Sequence, residues 1–229
     1  MNKNFFLEHG REFYALSSKG RLEGTVQEEM RDLYQRFDKE LRGWGLSLTN
    51  TVRTRTWARD KKTRGLAADE RSRILAGKGK ASSSSYISLQ EHFDSKARVA
   101  LDLIAMRPAN PNSERKPVEY DPVKPYLRYL IYDSFVFLSG SVAPGPDLDR
   151  QLTDVLSEID GSLMDAGSSW DKVTSAAYFL HRSQKIDALK ELLEKKKRLG
   201  VPKTEIGFVD DFAPDGIFVE VEVTAKLNK

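Results

Sequence analysis

An α+β fold of two tandem modules, each a mixed β-sheet with two helices packed on one face, is what this sequence predicts. Three observations predict it. First, the chain repeats itself: FYALSSKG (13–20) lies 122 residues before FVFLSGSV (135–142), and GLSLTNTVRTRTWARD (45–60) lies the same distance before GSSWDKVTSAAYFLHR (167–182). RVALDLIA (98–105) then matches FVEVEVTA (218–225) at a separation of 120. Four matched blocks in one order, counting the helix described next, make internal duplication the organising feature. Second, Met30, Leu33, Tyr34, Phe37 and Leu41 fall opposite Leu152, Val155, Leu156, Ile159 and Leu163. Each set has the i, i+3, i+4, i+7 spacing that lays one apolar stripe along a helix. Third, aromatic and β-branched runs with period-two alternation flank those helices, as strands require.

Taken in order, each copy reads strand, helix, strand, helix, strand. The opening strand is aromatic, as around Phe135–Ser139, and the first helix ends at a glycine turn, Gly45 or Gly167. The middle strand of the first copy places Thr51, Arg53, Arg55 and Trp57 on one face, because strand side chains alternate. A second helix is clear in copy two, where Ile186, Leu189, Leu192 and Leu193 form a stripe, and weak in copy one around residues 67–76. The last strand alternates cleanly, with Val219, Val221 and Val223 on one side. Strands with helices on one face give an α+β sandwich. The predicted domains are therefore 1–105 and 126–229. The linker or extended arm between them, 106–125, holds five prolines and many charges.

Composition narrows the function classes. Hydrophobic residues at 39% and charged ones at 31% describe an ordinary globular chain. No apolar run approaches the roughly 18–20 residues a membrane span needs. The N-terminus, MNKNFFLEHGREFY, lacks the features of a secretory signal, so a cytoplasmic protein is expected. Cysteine is absent, which excludes disulfides, thiolate metal sites and cysteine nucleophiles, and three histidines (His9, His92, His181) are few for a metal site. The net charge of +3 does not support a general nucleic-acid binder. It is unevenly spread: 20 Lys+Arg against 14 Asp+Glu in 1–105, but 17 against 20 in 106–229. No phosphate loop, dinucleotide fingerprint, zinc spacing or serine-nucleophile elbow is present, so neither cofactor nor metal is implied.

FVFLSGSVAPGP, LMDAGSSWDKVTSAAYFL and the closing VEVEVTA resemble the Rid (YjgF-like) family: an aromatic strand ending in Ser-Gly, an AGSS turn, and a final strand carrying glutamates. The resemblance implies a chorismate-mutase-like fold, assembly as trimers, and ligand sites in clefts between subunits, which in a tandem chain become clefts between modules. Many such proteins hydrolyse enamines or imines to ketones and release ammonia; others are described as ribonucleases or ligand binders. The tandem arrangement is similar to that of the chorismatases, which cleave an enol ether. By the same resemblance Tyr126, in the Pro125-Tyr126 pair, Ser139-Gly140 and Glu220 match site positions. The arginine that should hold a substrate carboxylate is missing: copy two has Glu205 there with Lys203 nearby, and copy one has Ser83 or Ser84. Copy one also has Ala100 in place of the glutamate.

The residues offer substitutes. Lys203 supplies a charge, though without the fork of an arginine. Arg53 and Arg55, roughly 7 Å apart on one strand face, could grip one anion together, with Trp57 beside them to stack on a planar ligand; alternatively they pair with acidic residues of the neighbouring module. Glu220 and Glu222 share a side of the last strand, where one carboxyl can raise the other's pKa and make an acid or base, or Glu222 can pair with a cation across the sheet. His181 reads as a proton-transfer group or a surface residue, and Ser82–Ser85 as an anion-binding loop or a flexible one. ELLEKKKR (191–198) reads as a solvated helix end. The expected function is a metal-free hydrolase or deaminase acting on a small carboxylated enamine or imine, from a homo-oligomer, most simply a trimer. An enol-ether hydrolase of chorismatase type and a non-catalytic ligand binder are the alternatives.

Overall fold

A computed structural model describes residues 1–21, 24–88 and 96–228; His92 lies outside them. The α+β class and the duplication both hold. The first module runs β1 (Asn2–Glu8), β2 (Arg11–Lys19), α1 (Val26–Gly43), β3 (Thr51–Ala58), α2 (Lys61–Ile74), β4 (Ser82–Ile87) and β5 (Val99–Arg107). The second follows β6 (Arg115–Val118) with β7 (Tyr129–Tyr132), β8 (Phe135–Leu138), α3 (Leu148–Asp165), β9 (Val173–His181), α4 (Ile186–Lys195), β10 (Lys203–Val209) and β11 (Val219–Lys226). The sheet orders are β1-β2-β5-β3-β4 and β10-β9-β11-β8-β7-β6. Stripped of the outer strands, both read hairpin strand, last strand, middle strand, parallel edge strand. The repeat in the sequence is thus a repeat in topology.

Local chemistry sets the elements. Thr25 and Glu28 form a reciprocal capping box at the start of α1. Gly45 and Gly167 follow their helices at φ of 67° and 76°, the left-handed region a side chain resists. The apolar stripes of α1 and α3 are buried, and each helix packs with its own sheet into a separate core. α2 starts six residues before the weak apolar signal because Asp60 caps it, accepting from the Thr63 amide at 2.8 Å.

Three strands do not show in the residue pattern. β1 hairpins onto β2, β10 runs parallel to β9, and the Ser82–Ser85 run is not a loop but part of β4, parallel to β3. Serines carry little strand preference of their own; pairing with β3 on one side and contact with Ser139 and Gly140 of the second module on the other set their conformation. Within 106–125, Arg115–Val118 pairs with β7 as β6.

The helix-free faces of the two sheets meet. Between them lie two further apolar clusters, one around Trp57, Tyr86, Phe179 and Phe212, the other around Phe13, Val52, Phe135 and Phe137. The order of layers is helices, sheet, sheet, helices. The second sheet is stitched to the edge of the first where β4 meets the end of β8: the Ser83 amide donates to Ser139 Oγ at 3.0 Å, and the Gly140 amide to the Ser83 carbonyl at 3.2 Å. Among the described residues no helix is long and apolar enough to cross a membrane.

Candidate functional site

The last strand of the second module places two carboxyl groups between the modules. Val219, Val221 and Val223 face the helices, so Glu220 and Glu222 face the other module, and both are buried. Glu222 sits in a ring of donors. It accepts from Arg53 Nη1 at 2.6 Å, Arg55 Nε at 3.0 Å, the Tyr86 hydroxyl at 2.9 Å and the Ser84 hydroxyl. Burial works against its charge, but Arg55 and Arg53 hold its carboxyl down to about 2. Arg55 also reaches Glu205, and its guanidinium lies 4.8 Å over the Phe179 ring. The two arginines are therefore held by carboxylates of the second module.

Glu220 has the opposite environment. Burial first, and then the charge of Glu222, push its carboxyl up to about 8, against the pull of Tyr86 and of the more distant Arg64 and Arg55. One carboxyl of the pair is thus ionised and the other protonated at neutral pH. Adjacent titratable groups with separated pKa values divide into acid and base roles.

Glu220 opens on a cavity of about 220 Å³ between the modules, lined also by Arg64, Arg71, Ser85, Tyr126 and Gly140. Arg64, from α2 of the first module, donates through Nε to Ser85 Oγ at 2.8 Å. Among the described residues it makes no ion pair, and burial lowers its pKa. Nothing in KKTRGLAADE marks Arg64 as functional, because its partner surface belongs to a segment some 150 residues away in sequence.

The expected site residues separate into three places. Glu220, Tyr126 and Gly140 share this cavity, with Ser139 behind it as the inter-module clamp. Arg53, Arg55 and Lys203 line a second cavity of about 470 Å³, where Lys203 pairs with Glu8 at 2.5 Å and lies over the Phe6 ring. Trp57 lines neither: it is packed against Tyr86 and Phe179 and donates to Asp102 at 2.7 Å. His181 ends β9 beside Ser183, with 2.7 Å between Nδ1 and Oγ, away from both cavities.

Gly140 explains its own identity. A Cβ there would stand 1.8 Å from Glu220 Oε1 and 2.6 Å from its Cδ. Gly140→Ala is accordingly expected to fold but to expel the Glu220 carboxyl from its seat. An unchanged circular-dichroism spectrum with turnover reduced about as far as in a Glu220 variant is the expected result; full activity would show that the close approach is dispensable.

No protein-family model and no curated protein matches the sequence. Solved structures do. A member of the YjgF/YER057c/UK114 family from Mycobacterium tuberculosis aligns at 23% identity and a TM-score of 0.43, covering 50% of this chain and all of its own. A putative endoribonuclease L-PSP from Entamoeba histolytica aligns at 22% identity with the same score and coverage. A chorismatase aligns over 96% of this chain and 78% of its own, at 13% identity and a TM-score of 0.61. Over nearly its whole length, then, this chain of two tandem α+β modules has the fold of a chorismatase.

Proposed function

We propose that the chain is a hydrolase of a small carboxylated enamine or imine, working in the inter-module cavity with Glu220 as general acid and Arg64 as the carboxylate anchor. One observation carries the reading: a buried carboxyl that holds its proton and a half-buried arginine, without an ion partner among the described residues, face one cavity from different modules. Arg64 then supplies from the first module the cation that the second module's own sequence lacks. A cavity of about 220 Å³ suits a metabolite smaller than a drug-sized ligand.

The chemistry follows from the protonation states. Glu220 gives its proton to the electron-rich carbon of an enamine, leaving an iminium beside the Glu220 carboxylate. Water adds to the iminium carbon, and Glu220 takes back a proton from it. Glu220 passes that proton to the amino nitrogen, the carbon–nitrogen bond breaks as the carbonyl forms, and the hydroxyl proton returns to Glu220, releasing ammonia and a keto acid. An imine reaches the same iminium by taking the Glu220 proton on its nitrogen. Arg64 holds the substrate carboxylate so that the reacting carbon lies against Glu220, which converts an encounter into an oriented contact. Tyr126, on the same wall, borders the leaving group.

The same acid would protonate an enol ether, and water addition would then release an alcohol and a keto acid. The full-length likeness to a chorismatase supports this second reading. Assembly of copies, as a trimer, is part of the proposal; β1 and β10 end their sheets as edge strands, and Phe5 and Leu7 on β1 are exposed.

The test supplies the native chain with enamines generated by an amino-acid oxidase and, separately, with chorismate, and measures ammonia and pyruvate. Native protein is expected to accelerate one of the two releases, and Arg64→Met to raise KM about tenfold or more through loss of a charge-assisted contact. Rates equal to buffer with both substrates would leave only ligand binding.

A further inference from the structure

The α2 helix carries a second arginine that the proposed reaction does not use. Arg71 follows Arg64 by seven residues, two helical turns, so both lie on one face with about 10 Å of helix rise between them. Arg71 is 5% exposed. Its Nη2 donates to the Pro125 carbonyl at 3.2 Å, and among the described residues no carboxylate pairs with it. Most guanidinium donors of a nearly buried arginine are thus left to whatever occupies the space beside it. Burying such a charge is unfavourable unless an anion compensates it.

That space is a second chamber of about 190 Å³ that adjoins the Glu220 cavity. The two chambers share Arg71, Ser83, Pro125 and Tyr126, so Tyr126 stands between them. Lys80 and Lys124 line the outer chamber. Lys80 is neutralised by Glu119, while Lys124 lies 4.0 Å over the Tyr120 ring. In the inner chamber the carboxylate besides Glu220 is Asp69, which is exposed. Taken together the two linings are net cationic, with Arg64, Arg71, Lys80 and Lys124 against Glu119 and Asp69 while Glu220 is protonated, and Leu75, Ala81 and Leu127 give the outer chamber an apolar floor.

We infer that the ligand is a dianion spanning both chambers, with one anionic group on Arg64 beside Glu220 and the second on Arg71. This rests on the proposed function for the first group only. It adds a requirement that a simple monocarboxylate would not meet, and it makes Arg71 the residue that selects between the two classes.

Calorimetric titration of the full chain with cyclohexanecarboxylate and with cyclohexane-1,3-dicarboxylate tests it. The native protein is expected to bind the dicarboxylate at least tenfold tighter, with a difference that shrinks in added salt. Arg71→Met should bring the dicarboxylate down to the level of the monocarboxylate, and Arg64→Met should weaken both. Should Arg71→Met fold poorly, Arg71→Lys and the comparison of the two acids on native protein decide the same question. Equal affinities for the two acids on native protein would overturn the dianion while leaving Arg64 as an anchor. Binding of neither acid would count against the anchor as well.

Discussion

Glu220→Gln should lower turnover by at least about 100-fold while making the protein more stable at neutral pH. Glutamine copies the shape of the protonated acid but cannot release a proton, so the loss of rate isolates the acid step. In the native protein kcat/KM should hold up to about pH 8 and decline above it, as the Glu220 carboxyl ionises. The stability effect has the opposite sign. A carboxyl raised from 4.5 to about 8 on folding keeps its proton while the unfolded chain loses it. Its contribution is fully present below pH 4.5 and is lost progressively as pH rises towards 8, on the order of 3 kcal/mol by pH 7. Urea denaturation should therefore find the two proteins alike near pH 4.5 and separated by about that amount at pH 7, with the gap level above pH 8. A gap independent of pH would mean that Glu220 is already ionised, and the acid role would fall with it.

Glu222→Ala should cost on the order of 3–5 kcal/mol, the usual consequence of removing one partner from a buried charge cluster. Arg53, with 7% of its side chain exposed, would lose its carboxylate. It would retain bonds to the Leu138 and Val223 carbonyls, at 3.1 and 2.8 Å, which offset the dipole but not the charge. Arg55 would keep the exposed Glu205 as a partner. The milder Glu222→Gln keeps the acceptor for Tyr86 and removes the charge. Because Glu222 helps to raise Glu220, and its loss leaves Arg53 without a carboxylate and Arg55 with Glu205 alone, the alkaline limb of the rate profile should move to lower pH in that variant. Chemical denaturation and a pH profile read the two effects separately. A loss below about 1 kcal/mol with an unmoved limb would show that the cluster neither supports the interface nor tunes the acid.

Much of this arrangement is legible in the sequence because strand and helix periods are properties of neighbouring residues. The stripes of α1 and α3 and the inward pair Glu220–Glu222 follow from spacing alone, and burial confirms them. The cation partners do not. Arg53 and Arg55 offer two readings, free anion-holder or partner of an acidic residue on the other module, and the register between sheets decides for Glu222 and Glu205. The β4 serines look like loop in isolation; a parallel neighbour and the Ser139 clamp make them a strand. Arg64 is invisible for a related reason: α2 has little apolar stripe to orient it, and the cavity it lines is completed by a strand of the other module.

The Ala100–Glu220 difference has a consequence for how such a chain can change. In an assembly of identical subunits every substitution is repeated at each equivalent position, so an acid cannot be altered at one pocket and kept at the next. Joining two modules in one polypeptide lifts that constraint. Here the strand position that holds Glu220 in one module holds Ala100 in the other, and Asp102 beside it is occupied by Trp57. The first module is free to lend a helix and its arginines to a pocket whose acid it does not own. Covalent linkage thereby turns a symmetric pair into a donor and a recipient, each able to vary without the other following.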